Sequence, residues 1–206
     1  MTARLLLLRH GETDSNAEGR SQGRREVPLN ARGRRQAAAL VEMLRGHAPV
    51  AAYSSPSGRA RATVAPAAKA LSLEVVVDDR LAELDQGELD GLTMQDLRGR
   101  HTEFLEQWGG EGVAEARMPG GESMADAQRR MVTAAESIAE AHPDDSVILV
   151  SHNLALGALL CHALDVPLAR FRRFRRDLAS LSIVDVHAGG EFVVVTLNER
   201  CHLPED

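Results

Sequence analysis

Apolar residues along the chain follow two patterns in alternation. Short runs without polar interruption read as buried strands: Leu5 to Leu8 within Arg4 to Arg9, Val50 to Ser54, Glu74 to Val77, and Val147 to Val150 within Ser146 to Ser151. Between them, apolar positions recur at helical spacing. Ala37, Leu40, Val41 and Leu44 mark a helix over Ala31 to Arg45 with Asn30 as its cap. Ser57 is placed to cap a helix running to about Leu71, which Pro66 should interrupt, because proline has no amide proton and crowds the preceding turn. Ser123 and Asp126 have capping-box spacing, and Met124, Ala127, Met131, Ala134, Ile138 and Ala141 form one stripe behind them. A further helix passes through Leu154, Leu156, Leu159 and Leu160. Ser180 to Val186 and Glu191 to Leu197, flanking Ala188-Gly189-Gly190, predict a terminal hairpin.

Strands that alternate with helices imply an α/β fold: a mostly parallel central sheet covered on both faces, with antiparallel pairing at one edge. The glycine-rich stretch from Gly87 to Glu122 breaks this alternation, with short helical pieces beginning near Thr93. It is expected to be an insert or lid, about 87–122, within a single domain of residues 1–206, and lids of this kind commonly set substrate choice.

Composition narrows the partners. A chain of 206 residues that is 44% hydrophobic can bury a full core. A formal charge of −6 argues against nucleic acid or an anionic membrane as partner. Lys69 is the one lysine among 24 basic side chains, so arginine is the chain's general habit and any arginine needs a second reason to be called functional. The run Arg170, Arg172, Arg173, Arg175 and Arg176, interleaved with Phe171 and Phe174, accordingly reads as a solvated or oligomer-facing segment. Cys161 and Cys201 form no metal or redox pair, and no apolar run is long enough for a signal sequence or a membrane span. A reduced, cytoplasmic protein is expected. An exposed strand edge leaves room for a homodimer. His47, His101, His142, His162, His187 and His202 lack metal-ligand spacing, and no glycine-rich nucleotide loop follows a strand.

The chemistry lies at strand ends, where open α/β sheets gather their ligands. Leu5 to Leu8 runs into Arg9-His10-Gly11-Glu12-Thr13, Val150 runs into Ser151-His152-Asn153, and the strand ending at Ser54 leads through Ser55-Pro56 to Arg59. These groups should meet on one rim. Each alone has a plain structural explanation, since a histidine at a strand end more often caps carbonyls than catalyses.

Taken together the residues resemble the histidine phosphatase superfamily, in its phosphoglycerate-mutase-like branch. The resemblance rests on Arg9-His10-Gly11-Glu12-Thr13 with Asn16, and on Pro28-Leu29-Asn30 with Gly33 and Gln36. It continues through Ser54-Ser55-Pro56 with Arg59, Ala60 and Thr63, then Leu81, Glu83, Gly87, Asp90 and Gly91. Pro119-Gly120-Gly121-Glu122-Ser123 and Val150-Ser151-His152 complete an ordered set that spans most of the chain. The resemblance implies a three-layer α/β/α sandwich and a metal-independent phosphatase acting on a small phosphorylated metabolite, with no cofactor. In that scheme His10 is the nucleophile that becomes phosphorylated, Glu83 the general acid, and Arg9, Asn16, Arg59 and His152 the phosphoryl-binding groups. A phosphoglycerate mutase and a catalytically silent phosphate-recognising module are the alternatives.

Three departures bear on substrate. Asn153 follows the second histidine where the family usually has glycine, and Leu178 stands where asparagine is common. Trp108 is followed by Gly109-Gly110-Glu111, whereas the glycolytic mutases carry there an arginine pair that grips a carboxylate. Arg117 is the one nearby substitute, and reads as an exposed loop arginine.

Overall fold

The computed structural model describes residues 1–203; residues 204–206, the last three of the expected domain, lie outside the described residues. A six-stranded sheet runs in the order β3-β2-β4-β1-β5-β6. β1 (Thr2–Arg9) pairs in parallel with β4 (Ser146–Ser151), β4 with β2 (Ala51–Ser54), and β2 with β3 (Val75–Val77). On the other side β5 (Leu181–His187) lies antiparallel to β1, and β6 (Phe192–Glu199) closes the hairpin.

The uninterrupted leucines of β1 follow from two-sided burial, because successive side chains of a strand point to opposite faces. Leu5 and Leu7 join Val147 and Leu149 beneath α6 (Met124–Ala141) and α7 (Asn153–Ala163). Leu6 and Leu8 join Ile148 and Val150 beneath α2 (Ala31–Arg45) and α3 (Gly58–Leu71). Two helical layers thus sandwich the sheet. Parallel register sets Arg9 opposite Ser151 and Ser54 opposite Val150, so three strands end level on one rim.

α3 corrects one expectation: it runs unbroken through Pro66. Val64, Ala67 and Ala68 bury on its core side, while Ala62, whose carbonyl loses its amide partner, is exposed and can be hydrated. Ser57 sits at the cap position but makes no side-chain cap bond. On the opposite face of the sheet, Ser123 and Asp126 do form the capping box of α6.

Between Leu84 and Ser123 the chain forms α4 (Met94–Arg100), started by a Thr93 and Asp96 capping box, and α5 (Thr102–Gly109), with single turns on either side. Leu89, Leu97, Val113 and Met118 pack on Ala158, Cys161 and Phe171, so the insert is anchored by an apolar cluster of its own. The arginine run beside it is a second correction. Arg172, Arg173 and Arg175 are exposed, but Phe171 and Arg176 are buried. The Arg176 guanidinium lies against Phe174 and donates to the carbonyls of Phe171 and Phe174, which is how a charge is accommodated indoors. Among the described residues no helix is long and apolar enough to cross a membrane.

Candidate active site

His10 stands directly after β1 and is 3% exposed. Its Nδ1 lies 2.7 Å from the carbonyl oxygen of Gly11, which can only accept. Nδ1 therefore carries the proton and Nε2 keeps a lone pair. Burial, reinforced by the charges of Arg9 and Arg59, holds the His10 pKa well below the ordinary histidine value. A neutral imidazole with an available nitrogen results. Thr63 ties this loop to α3 by accepting from the Gly11 amide at 2.9 Å and donating to the Arg59 carbonyl at 2.7 Å.

Two guanidinium groups flank it. Arg9 donates to the Arg176 carbonyl at 2.6 Å, and burial pushes its pKa down to about 10, so it remains cationic at neutral pH. Arg59, in the first turn of α3, is fully buried and donates to the carbonyls of Arg25 at 2.9 Å and Gly23 at 2.6 Å. Asp90 fixes that loop in turn by accepting from the Gly23 and Arg25 amides. The Nε of Arg9, the Nε of Arg59 and the Nε2 of Gln22 are all buried with no hydrogen-bond partner among the described residues. Unsatisfied buried donors are costly, so the packing around these groups must offset them.

The His152 ring lies 5.0 Å from that of His10 between centroids. Its Nδ1 faces Arg59 at 3.2 Å and so must accept, which leaves Nε2 to donate to Ser55 at 2.7 Å; the Ser57 hydroxyl stands at 3.4 Å. Burial, with His10 and the arginines adding, holds the His152 pKa well below the ordinary value. Both of its nitrogens are already engaged by protein. Asn16 forms the capping box of the short helix α1 (Asp14–Ala17): its carbonyl oxygen accepts from the Thr13 amide at 3.1 Å, which leaves the amide group to donate elsewhere.

Glu83 is 4% exposed and held at the start of α7. Oε1 accepts from the amides of Leu84 and Ala155, and Oε2 from Leu154 at 3.1 Å, leaving Oε2 room for one further hydrogen. The loop that carries it is clamped by Arg130 of α6, which donates to the Arg80 and Ala82 carbonyls and forms a two-pronged pair with Glu122. A cleft of about 330 Å³ opens here, lined by Arg24, Ser55, Ser57, Arg59, Glu83 and His152 among others. Arg9 and Asn16 face a second cavity under the insert.

All six residues singled out from sequence thus surround one strand-end rim or the cavities that open on it. Other motif residues are braces: the Glu12 carboxylate accepts from Asn30 at 2.9 Å and Arg32 at 3.0 Å, pinning the start of α2. Asn153 turns its oxygen to Arg176 at 3.2 Å. Arg117 is tied to Asp126 and the Gly121 carbonyl. Sequence reasoning missed Gln22, Arg130 and Arg176. For Arg176 a signal existed, since phenylalanines interleaved with arginines suit cation and ring stacking; Gln22 and Arg130 carry none. Among the described residues no group of three histidine, cysteine or carboxylate side chains could hold a metal ion.

A neutral histidine between buried arginines, at the carboxyl ends of a parallel sheet, defines an α/β protein suited to handling a phosphoryl group. The sequence profile of the histidine phosphatase superfamily (branch 1) matches residues 5–200, and the chain belongs to that family. It is 34% identical over 203 residues to phosphoserine phosphatase 1 of Hydrogenobacter thermophilus, covering 98% of this chain and 95% of that protein. It is 39% identical over 207 residues to the "Probable phosphoglycerate mutase GpmB" of Yersinia enterocolitica, covering 97% and 94%. Among solved structures, a mycobacterial glucosyl-3-phosphoglycerate phosphatase in complex with VO3 superposes with a TM-score of 0.86 at 30% identity, covering 96% of this chain and 99% of that one.

Proposed function

We propose that the chain is a metal-independent phosphomonoesterase that hydrolyses a small phosphorylated metabolite through a phosphohistidine on His10. The observation that carries this reading is the His10 tautomer: Nδ1 is committed to the Gly11 carbonyl, so Nε2 is the free nucleophile, and it stays neutral between two cations. In the first displacement Nε2 forms a bond to phosphorus while the bond from phosphorus to the ester oxygen breaks, and Glu83 gives its proton to the departing alkoxide. In the second, water attacks phosphorus, Glu83 takes a proton from it, the nitrogen–phosphorus bond breaks and inorganic phosphate leaves. Arg9, Arg59 and the Asn16 amide hold the phosphoryl oxygens, so fixed donors supply the stabilisation that phosphoryl transfer requires. His152 orients Arg59 and exchanges one of its protein bonds for a phosphoryl oxygen when substrate arrives. The 87–122 insert closes the site.

The mutase-named relative favours a second reading, in which the phosphoryl group returns to another hydroxyl. Against it, the segment after Trp108 carries no arginine pair, and Arg117 is occupied by Asp126. Retention of Glu83 speaks against a silent module, because recognition alone has no use for a proton donor. A panel of phosphorylated metabolites assayed in EDTA, with both free phosphate and isomerised product measured, separates the three. Metal-free phosphate release is expected; isomer without phosphate, or turnover only after a divalent ion is restored, would overturn the proposal.

A further inference from the structure

The cavity facing Arg9 and Asn16 is the larger of the two beside the site, about 820 Å³, in the upper part of the roughly 300–1,000 Å³ range of pockets that enclose drug-sized ligands. Its walls are mainly apolar: Leu89, Met94, Leu97, Phe104, Trp108 and Leu178. Leu154 belongs to the same wall, and its amide is bound to Glu83, so the cavity begins beside the proposed proton donor. The chain has only one tryptophan, one tyrosine and four phenylalanines, yet Trp108, Phe104, Phe171 and Phe174 all gather in the cluster beneath the insert. The Phe104 and Trp108 rings stack at 5.5 Å between centroids, and Arg172 braces the indole from 5.7 Å while donating to the Trp108 carbonyl. Met94 is left 49% exposed at this wall, and Leu178 adds hydrocarbon where the family commonly has an amide. Of the cavity's arginines beyond Arg9, Arg20 is paired with Glu18 and Arg172 with the rings; Arg98 stands free of both arrangements.

Resting on the phosphatase reading above, we propose that the substrate is the phosphomonoester of a bulky, mainly apolar alcohol. Its ring or hydrocarbon portion occupies this cavity against the Phe104 and Trp108 stack, and Met94 and Leu178 cover it from the other walls. A phosphorylated hydroxy acid or amino acid could set its carboxylate against Arg98 at most, and would leave the apolar walls wet.

Ethyl, hexyl and 2-(1-naphthyl)ethyl phosphate test this, because all three are primary alkyl esters with leaving groups of similar basicity. Each methylene buried contributes about fourfold, so the four extra methylenes should raise kcat/KM by about 250-fold from the ethyl to the hexyl ester, with the naphthyl ester at least as good. Trp108→Ala should shrink the long-to-short ratio about tenfold. The matching alkylphosphonates, titrated by calorimetry in the wild-type protein, give the same ranking without turnover. If no ester is hydrolysed but phosphonate affinity climbs with chain length, the phosphatase reading fails and the apolar site stands. A flat series in both measurements, or higher kcat/KM for phosphoserine or 3-phosphoglycerate than for the hexyl ester, overturns the proposal.

Discussion

Glu83 has two duties that pull in different directions. Its carboxylate holds the first turn of α7 through the amides of Leu154 and Ala155, yet the mechanism proposed above requires a proton on it when the ester bond breaks. Oε2, with a single amide bond, is where that proton belongs. Glu83→Gln preserves the shape and one acceptor but cannot donate to an alkoxide as an acid does. It should therefore slow alkyl phosphates by about 100-fold or more and aryl phosphates, whose leaving groups need little protonation, by less than about tenfold. Steady-state rates on a matched pair of esters check this, and equal slowing of both would remove Glu83 as the acid. At this scale the sequence is informative at strand ends: Arg9, His10 and His152 are legible because their places follow from the strands. Gln22 and Arg130 are not, since a glutamine in a loop and an arginine on a helix are ordinary surface residues until their partners are known.

The rim works because elements approach one another closely. Where the loop after β1 meets the start of α2, Gly11 and Gly33 lie back to back, and a Cβ on Gly33 would come within 2.7 Å of the Glu12 amide nitrogen. Gly33→Ala should thus cost about 1–3 kcal/mol of stability, as overpacking of fixed backbone does, and should weaken substrate binding because Glu12 and His10 share that loop. Denaturant unfolding and KM together check it; unchanged stability would show the approach to be looser than the geometry implies. The elements flanking this junction were legible: α2 has the predicted bounds, and β4 does too. Pro66 misled because a missing amide is harmless where the freed carbonyl meets water. The arginine-rich segment misled because burial of Arg176 depends on carbonyls of Phe171 and Phe174 that only the folded loop presents. The insert's helices could be sensed at Thr93, but their packing on α7 could not, since the apolar residues that anchor them are spread over a glycine-rich stretch.

Across the whole molecule, an acidic surface surrounds a small cationic centre. Net charge −6 is compatible with an anionic substrate, because surface charges beyond about 10 Å are largely screened at ordinary ionic strength, while the buried arginines would act at contact in the proposed mechanism. That centre makes stability depend on pH. The fold keeps His10 and His152 neutral, with pKa values well below those of the unfolded chain, so between the two values the unfolded state binds more protons. Stability is therefore full above about pH 6.5 and falls as pH drops below it, by up to about 1.4 kcal/mol per pH unit for each imidazole. Thermal unfolding between pH 7.5 and 5 should show the decline, and it should flatten in a His10→Asn, His152→Asn variant; a constant Tm in the wild type would contradict the burial of neutral rings. Trapping the phosphorylated enzyme during turnover, quenched in alkali where phosphohistidine survives, and locating the phosphate by mass spectrometry identifies the nucleophile. Phosphate is expected on His10, and none in a folded His10→Ala variant that has also lost turnover. Phosphate on another residue, or His10→Ala turning over at the wild-type rate, would contradict His10 as the nucleophile.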